Sequence, residues 1–589
     1  MKTIINIITE EIKKGFESAG YDAKYGMVTL SNRPDLCQYQ CNGALAAAKQ
    51  YKKAPIEIAE DVVELLKDIK IFKEITALPP GFININLSEE FLADFLNEMG
   101  GSDNFGSERE EKPRTIIIDY GGPNIAKPLH VGHMRSAIIG ESIKRILRFK
   151  GNKVIGDVHL GDWGTQMGLV IAELKRRQGD LVYFDEDYTG DYPSEAPFTI
   201  SELEEIYPTA SEYSKENPEF LEEAKEITYK LQQGHRGYNA IWNHMLDVSI
   251  TDLKRIYEDL NVSFDLWKKE SDALPYIGDM VEYFKENNYT RLSDGALVID
   301  VKEDTDTKEI PPCLVLKSDG AALYQTTDLA TIIERMELYN PDQIIYVTDK
   351  RQELHFEQVF RAARKTKLVK EDTILNHIGY GTMNGKDGKP FKTREGGVMR
   401  LEYLIDSVTE EVYNKIKENR SMDKDEAKDV ANKVGIAALK YGDLSNQISK
   451  DYVFDLERFT SFEGNTGPYI LYTIVRIKSI LEKQEVERNI EGKEQRILPA
   501  YSDSEVDLML ELAKFNEMIL QAYEEMAPHR ICHYIYELAN AFNSFYHNNK
   551  ILAEKDEGKR ASWITLITLV KDILLVCVDL LGMEAPDRM

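Results

Sequence analysis

The chain has 589 residues, too many for a single hydrophobic core, so we expect roughly three or four domains. No apolar run reaches the ~18 to 20 residues of a membrane helix, and a hydrophobic content of 42% is typical of a globular protein. The net charge of −28 excludes general attraction to a nucleic-acid backbone, so an RNA partner would need basic residues grouped on one face.

The cysteines and the N-terminus bear on the cellular compartment. Met1 to Ile12 lacks a long apolar core and a small-residue cleavage site, which favours an amphipathic first helix over a signal peptide. We therefore expect a cytoplasmic protein that binds no membrane. The cysteines form neither a disulfide framework nor a paired zinc motif, and they are Cys37, Cys41, Cys313, Cys532 and Cys577.

Residues 1–105 are predicted to form a small α+β domain. Ile4 to Ala19 and Ile56 to Leu66 carry apolar residues at helical spacing, whereas Gly81 to Leu87 alternates as a strand does. Gly100 to Pro113 then has almost nothing to bury, so we interpret it as a linker.

A strand, a helix and a second strand follow the linker. Thr115 to Ile118 is apolar and β-branched, Met134 to Lys150 has helical periodicity, and Lys153 to Val158 is the next strand. His130 and His133 lie at the start of the helix. This pattern predicts a βαβ unit with two imidazoles at the N-terminus of its helix.

The N-terminus of a helix attracts phosphate through its free N–H groups and its positive dipole end. Gly132 lets a ligand approach the backbone, and imidazoles can donate hydrogen bonds to phosphate oxygens. The alternative is a metal site in which His159 supplies a third ligand. No recognised zinc spacing supports that alternative, so we predict no metal.

The fourteen residues Pro123 to Ser136 read Pro-Asn-Ile-Ala-Lys-Pro-Leu-His-Val-Gly-His-Met-Arg-Ser. This run resembles the signature of the class I arginyl-tRNA synthetases, and His130 to His133 stands where class I synthetases carry His-Ile-Gly-His. Similarity extends over nearly the whole chain. The further similar stretches are Pro79 to Asn84, His159 to Gln166, Gly435 to Tyr441, Glu463 to Leu481 and the terminal Arg588-Met589.

The resemblance implies a Rossmann-like α/β catalytic domain over residues 106–400, preceded by an α+β domain that contacts the tRNA elbow. A helical connector over 401–450 and an all-α anticodon-binding bundle over 451–589 would follow. From Phe184 to about Ala273 the chain is acidic and mostly helical, and we expect an insertion at about 184–295. Strands predicted around Ala296 to Ile299 and Cys313 to Leu316 should then begin the second half of the sheet.

Tyr324 and Asp328 are four residues apart and share one face if that turn is helical. A carboxylate beside a phenol suits a planar guanidinium, although an aspartate here could equally be a helix N-cap. The resemblance implies that arginine is bound by a larger group of residues. These are Gly122, Pro123, Asn124, His133, Tyr324, Asp328 and Gln352.

Gly388 to Gly397 resembles the second class I signature as the arginyl branch carries it, without the final lysine of Lys-Met-Ser-Lys-Ser. A charged glycine-rich hairpin would look similar. Lys127, Lys392 or Arg394 would have to supply the cation that the missing lysine provides elsewhere. The resemblance assigns ATP binding to His130, Gly132, His133, Lys392 and Arg394, and catalysis to His130, His133, Lys127 and Lys392.

Basic residues that could face RNA are clustered at two places, although solvated charge runs would look the same. The candidates are Arg361, Arg364, Lys365, Lys367 and Lys370, and the pair Arg476 and Lys478.

The resemblance implies a monomeric arginine–tRNA ligase that uses ATP and Mg²⁺, forms arginyl-adenylate and passes the arginyl group to tRNA(Arg). Such enzymes typically need bound tRNA before they form the adenylate. Three alternatives remain: a class I ligase for another amino acid, a tRNA-binding paralogue without catalysis, and a small-molecule nucleotidyltransferase. The cysteinyl branch would show zinc cysteines, and a nucleotidyltransferase would have no use for the helical C-terminal third.

Overall fold

The computed structural model describes residues 1–127, 129–389, 391, 399–419, 422–487 and 496–589. The chain forms two compact units. The terminal unit comprises residues 1–109, 462–579 and 585–589, and the central unit comprises residues 110–461 and 580–584.

The N-terminal part of the terminal unit is an α+β fold. Its four strands form an antiparallel sheet in the order β1-β2-β4-β3, and fully buried Ile8, Ile12 and Phe16 pack the first helix into the core. The predicted helices and strand lie within a residue or so of the observed ones. The elements are α1 (Ile4–Ser18), β1 (Val28–Leu30), β2 (Tyr39–Cys41), α2 (Gly43–Tyr51), α3 (Pro55–Leu66), β3 (Phe72–Leu78), β4 (Phe82–Leu87) and α4 (Glu89–Gly100).

The central unit alternates strands and helices. Its strands are β5 (Thr115–Tyr120), β6 (Lys153–Leu160), β7 (Leu266–Lys269), β8 (Arg291–Ser293), β9 (Ala296–Ile299), β10 (Cys313–Leu316), β11 (Gln343–Asp349), β12 (Ile374–Tyr380), β13 (Met383–Asn384) and β14 (Tyr452–Val453). Its helices are α5 (Val131–Phe149), α6 (Thr165–Arg177), α7 (Ile200–Glu216), α8 (Pro218–Gln232), α9 (Arg236–Asp259), α10 (Leu274–Glu286), α11 (Tyr324–Tyr339), α12 (Glu353–Lys365), α13 (Leu401–Asn419), α14 (Lys424–Leu444) and α15 (Leu456–Phe459).

Five of these strands form one parallel sheet in the order β12-β11-β5-β6-β7. The chain winds outward from β5 in both directions, so the order reverses between β5 and β11. Ligands of open α/β sheets bind at the carboxyl ends of the strands beside such a reversal. The predicted phosphate site follows β5 and therefore lies at this position.

Two predictions about this unit are wrong. Strands β9 and β10 do not begin a second half of the central sheet, because they pair with β8 in a separate antiparallel sheet. The segment predicted as an insertion up to about residue 295 contains β7, which pairs with β6 in the central sheet. The helical insertion therefore ends before Leu266. A four-residue edge strand carries too little alternation to be recognised in the sequence.

The C-terminal part of the terminal unit is all helical, as predicted. Asn97 bonds both backbone groups of Ile497, at 2.8 and 2.9 Å, and so joins this part to the N-terminal fold of the same unit. The helices are α16 (Gly467–Glu487), α17 (Asp503–Ala513), α18 (Phe515–Glu524), α19 (Pro528–Asn548) and α20 (Glu557–Leu580).

Within the described ranges, α20 is the one helix with the length and apolar composition to cross a membrane. More than half of its most apolar window is buried inside the protein, and the helix contains the charged pair Lys571 and Asp572. We interpret α20 as a core helix of the bundle. All five cysteines lie in the described ranges, where they are buried and form no disulfide.

Candidate active site

The turn after β5 crosses closely over the end of β6. Ile125 N donates to Gly161 O at 2.9 Å, and Gly161 N donates to Pro123 O at 3.1 Å. A Cβ on Gly161 would lie 1.9 Å from Asn124 Oδ1, and a Cβ on Gly122 would lie 2.2 Å from His159 O. A side chain at residue 122 would meet backbone, and one at residue 161 would displace the Asn124 side chain. The predicted residues Gly122, Pro123 and Asn124 are thereby fixed at the carboxyl edge of the sheet.

His130 and His133 cap the N-terminus of α5 with their own rings. His130 Nδ1 accepts the Gly132 N–H at 3.0 Å, and His133 Nδ1 accepts the His130 N–H at 3.2 Å. The rings stack with their centroids 3.7 Å apart. A Cβ on Gly132 would lie 2.9 Å from His130 Cε1, so the glycine makes room for this ring rather than for a ligand as we expected.

Burial and capping together fix the protonation state and the tautomer of both rings. Burial and then the charge of Lys127 lower the pKa of His130, and burial and then His130 lower the pKa of His133 to about 3. Both imidazoles are therefore neutral near pH 7. Since both Nδ1 atoms accept backbone hydrogen bonds, the proton of each ring sits on Nε2. The site presents two neutral N–H donors beside a helix N-terminus.

Lys127 is the cation that the described part of the site provides. Its Nζ lies 4.6 Å from the centroid of the Tyr207 ring on α7, so the helical insertion contributes one wall of the site. The two other predicted cations, Lys392 and Arg394, lie outside the described residues.

Tyr324 and Asp328 share one face at the start of α11, as predicted. Leu323 is the N-cap, so Asp328 lies in the second turn of the helix and the alternative that it caps the helix is wrong. Asp328 Oδ2 lies 2.5 Å from His355 Nε2 on α12. The Tyr324 side chain is largely exposed, at 62%. Sequence reasoning missed His355, although it stands three residues after the predicted Gln352.

Glu270, which the sequence analysis missed entirely, also belongs to this site. It begins the turn Glu270–Ala273 that follows β7. Burial and the nearby charges of Asp162 and Asp328 raise its pKa to about 8. Burial and the charge of Glu270, followed by Tyr207, raise the pKa of Tyr324.

These influences indicate a group of acidic and phenolic side chains that lie near one another, which we call the acidic hollow. Its residues are Glu270, Asp328 and Tyr324, and Tyr207 links Tyr324 to Lys127. Gln352 is exposed in the turn Lys350–Gln352, at the end of β11 and directly before α12. Through Tyr207 and Lys127, the predicted guanidinium site therefore neighbours the N-terminus of α5, which is predicted to face phosphate.

One cluster of the described residues has metal-ligand spacing, namely Asp119, Asp157 and His159. The guanidinium of Arg335 already occupies it, with Nη2 2.5 Å from Asp119 Oδ2 and 2.7 Å from Asp157 Oδ2. A resident cation neutralises these carboxylates. The cluster is therefore a buried ion pair that ties α11 to β5 and β6.

Three family models match the chain. "tRNA synthetases class I (R), catalytic domain" matches residues 98–456, "DALR anticodon binding domain" matches residues 470–589, and "Arginyl tRNA synthetase N terminal domain" matches residues 2–87. The chain belongs to the arginyl-tRNA synthetase family. The predicted resemblance is confirmed, and so is the predicted class of fold, a class I catalytic domain between an N-terminal domain and a helical C-terminal domain.

Curated relatives of this family span the whole chain. The arginine–tRNA ligase of Agathobacter rectalis is 62% identical and that of Alkaliphilus oremlandii is 60% identical, each over 100% of both chains. Among solved structures, the arginyl-tRNA synthetase of Plasmodium falciparum is similar with a TM-score of 0.80 at 25% identity, again covering 100% of both chains. The Thermus thermophilus arginyl-tRNA synthetase shares the fold with a TM-score of 0.78 at 22% identity over 100% of both chains.

Proposed function

We propose that the protein is an arginine–tRNA ligase. The arginine carboxylate attacks the α-phosphorus of ATP, pyrophosphate leaves, and a terminal ribose hydroxyl of tRNA(Arg) then takes the arginyl group and releases AMP. The observation that carries the proposal is the placement of two neutral Nε2–H donors beside an acidic hollow. Relatives at 60–62% identity that are arginine–tRNA ligases support it.

Catalysis in this proposal rests on positioning and on donors aimed at developing negative charge. His130 and His133 donate from Nε2 to phosphate oxygens at the N-terminus of α5, and the N–H groups of that helix around Gly132 favour the same anion. Lys127 supplies a positive charge to this helix N-terminus. Lys392 and Arg394 are proposed to contribute from the glycine-flanked segment of the second signature.

The guanidinium of arginine is proposed to lie against the carboxylates of Glu270 and Asp328, with the Tyr324 phenol beside it. A forked cation is well matched to paired carboxylates in a partly dry pocket. His355 holds one oxygen of Asp328. The remaining predicted residues are proposed to line the same pocket, and they are Gly122, Pro123, Asn124, His133 and Gln352.

Mg²⁺ is expected to arrive with ATP. The described side chains at the N-terminus of α5 are imidazole N–H donors and an ammonium group, which do not ligate a divalent cation. The nearby carboxylates of Asp119 and Asp157 are occupied by Arg335. We therefore propose no protein site for Mg²⁺ and expect phosphate oxygens to hold it.

Both ends of the chain are proposed to bind tRNA, with residues 1–105 contacting the elbow and residues 451–589 the anticodon. Supporting this, α16 and α19 carry a patch of rings and one guanidinium. Arg476 lies 4.8 Å from the Tyr472 ring and 5.9 Å from the Tyr546 ring, and it donates to Asn543 Oδ1 at 2.6 Å. Rings and guanidinium planes stack on unpaired bases.

Two predicted RNA contacts are less suitable. Arg361 is paired with Asp306 and Glu357, and Lys478 is paired with Asp587 at 2.8 Å, so acids of the protein already neutralise both charges.

We propose that the protein acts as a monomer in the cytoplasm during protein synthesis.

A charging assay tests the proposal. A tRNA pool is incubated with each of the twenty amino acids in turn, with and without ATP. We expect charging with arginine alone, and only with ATP. Charging with another amino acid, or none with arginine, would contradict the assignment.

A further inference from the structure

The turn that carries Glu270 is fixed by a residue outside the hollow. This turn spans only Glu270–Ala273 and follows the short edge strand β7, so the sheet constrains it weakly. Asp162, in the loop after β6, accepts the Ser271 N–H on Oδ1 at 2.9 Å and the Ser271 hydroxyl on Oδ2 at 2.6 Å. Both oxygens of the Asp162 carboxylate therefore accept hydrogen bonds from Ser271, the residue that follows Glu270.

The Asp162 carboxylate is fully buried, and its described hydrogen-bond donors are the two neutral groups of Ser271. Burying a carboxylate without a cationic hydrogen-bond partner is costly, whereas an asparagine could accept the same N–H at lower cost. Burial raises the pKa of Asp162, which reflects this cost. A negative charge in this position is useful if a cation is bound next to it.

We propose that Asp162 is a positioning residue for arginine: its two hydrogen bonds to Ser271 hold Glu270 against the guanidinium, and its charge adds to the field that attracts the cation. The inference rests on the proposed function, because it takes the acidic hollow as the arginine pocket. Asp162 itself does not touch the substrate.

The charged groups around Glu270 make the inference testable by pH. Asp162 acts on Glu270 from the loop after β6, and Asp328 and the Tyr324 phenol act on it from α11. Lys269 at the end of β7 forms an ion pair with Asp272 of the same turn. Both aspartates raise the pKa of Glu270 after burial does. Removing the charge of Asp162 should let Glu270 ionise at lower pH.

Two variants separate the hydrogen bonds from the charge. Asp162→Asn keeps the shape and one acceptor but removes the charge, whereas Ser271→Ala removes one hydrogen bond and leaves the charge. Ser271→Thr keeps the hydroxyl and should rescue. Asp300→Asn removes one negative charge from an exposed ion pair with Arg291 and serves as the control.

The assay is pyrophosphate exchange with tRNA present, measured between about pH 6 and about pH 9 with arginine and ATP varied separately. We expect Asp162→Asn and Ser271→Ala to raise the KM for arginine roughly tenfold while the KM for ATP and kcat change little. The pH above which the KM for arginine levels off should fall in Asp162→Asn and stay in place in Ser271→Ala. Ser271→Thr and Asp300→Asn should behave like the parent protein.

An unchanged KM for arginine in folded Asp162→Asn and Ser271→Ala would overturn the inference. So would equal increases in the KM values for arginine and ATP, since these would indicate general distortion. Glu270→Gln and Asp328→Asn distinguish failure of this inference from failure of the proposed arginine pocket. If these raise the KM for arginine and the Asp162 and Ser271 variants do not, only the inference fails; if none does, the proposed arginine pocket fails as well.

Discussion

His130 and His133 show how a short motif can set the chemistry of individual atoms. Each ring uses Nδ1 to cap a backbone N–H, so each must carry its proton on Nε2 while neutral. A neutral imidazole N–H can stabilise an oxyanion through its hydrogen bond alone, and the ring need not change its own charge during the reaction. Lys127 then supplies the full positive charge separately, and its field helps to keep both rings neutral.

Replacing either histidine with alanine should lower the rate of adenylate formation on the order of 10²- to 10³-fold, as the loss of a donor to a developing oxyanion does. The KM for arginine should change little in His130→Ala and should increase in His133→Ala, because His133 is also proposed to line the arginine pocket. Single-turnover measurement with tRNA bound checks this. The pKa of both rings is lowered from 6.5. The fall in the rate of adenylate formation that their protonation causes at acid pH should therefore be centred below pH 6.5 in the parent protein. A fall centred above pH 6.5 that disappears in both variants would contradict the assignment.

The raised pKa of Glu270 predicts that arginine binding releases a proton. Its pKa of about 8 means that the carboxyl group is largely protonated at neutral pH in the empty pocket, whereas a guanidinium requires the carboxylate. Arginine affinity should therefore increase as the pH rises toward about 8 and then level off. Calorimetric titration with arginine near neutral pH, in buffers of different ionisation enthalpy, measures the released proton.

Glu270→Gln is the control for that experiment. It should bind arginine more weakly, and the release of the proton and the rise of affinity with pH should both be lost. Binding of arginine to the parent protein without proton release near neutral pH would sink the prediction.

At the scale of the elements, α11 matters because it carries Tyr324 and Asp328. The far end of the helix is anchored in the sheet by Arg335, which bonds Asp119 of β5 and Asp157 of β6 in a largely buried network. The near end is anchored by the contact between Asp328 and His355 of α12. The hollow thus has one wall fixed at both ends.

Replacing Arg335 with methionine should destabilise the central unit by about 3 to 5 kcal/mol, since the buried Asp157 and the largely buried Asp119 would lose their cation. Arg291→Met, which breaks an exposed ion pair with Asp300, should cost no more than about 1 kcal/mol. Urea unfolding followed by a probe in the central unit measures both. Equal losses in the free energy of unfolding for the two variants would show that the Arg335 network contributes no more stability than an exposed ion pair.

The elements also show the limits of prediction from sequence. Helices and strands of the βαβ unit were recognised because their apolar spacing is local and repeats several times. The pairing of β9 and β10 with β8 was not recognised, because the sequence of a strand does not specify which strand it pairs with. Glu270 was missed for the related reason that β7 is too short to be recognised, so nothing indicated that its end lies beside α11.

At the scale of the whole molecule, the net charge of −28 requires that tRNA binding depend on local patches. The patch on α16 and α19 is a candidate, since the described partner of Arg476 there is the neutral side chain of Asn543. Stacking on its rings would add affinity that depends little on net charge.

Arg476→Ala should therefore raise the KM for tRNA roughly tenfold and leave the KM values for arginine and ATP unchanged. Lys478→Ala on the same helix is the matched control and should have a small effect, because Asp587 already pairs with that lysine. Aminoacylation kinetics with tRNA varied measures both. Equal effects of the two variants would argue against a specific base contact.

The family resemblance also predicts that adenylate formation depends on tRNA. Pyrophosphate exchange should be slow with ATP and arginine alone and should rise sharply when tRNA(Arg) is added. Full exchange without tRNA would contradict this expectation. A tRNA that lacks its terminal hydroxyls separates binding from transfer, because it should still permit exchange but should accept no arginine.

By itself, the sequence determined the family, the position of the two histidines at the start of α5 and most helices and strands, because these depend on contiguous residues and short periodicities. Only the tertiary structure decided the sheet order, the approach of Glu270 to Asp328, and the joining of the two ends of the chain in one compact unit. Those features depend on which surfaces pack together. Packing is a property of distant residues, and no local pattern records it.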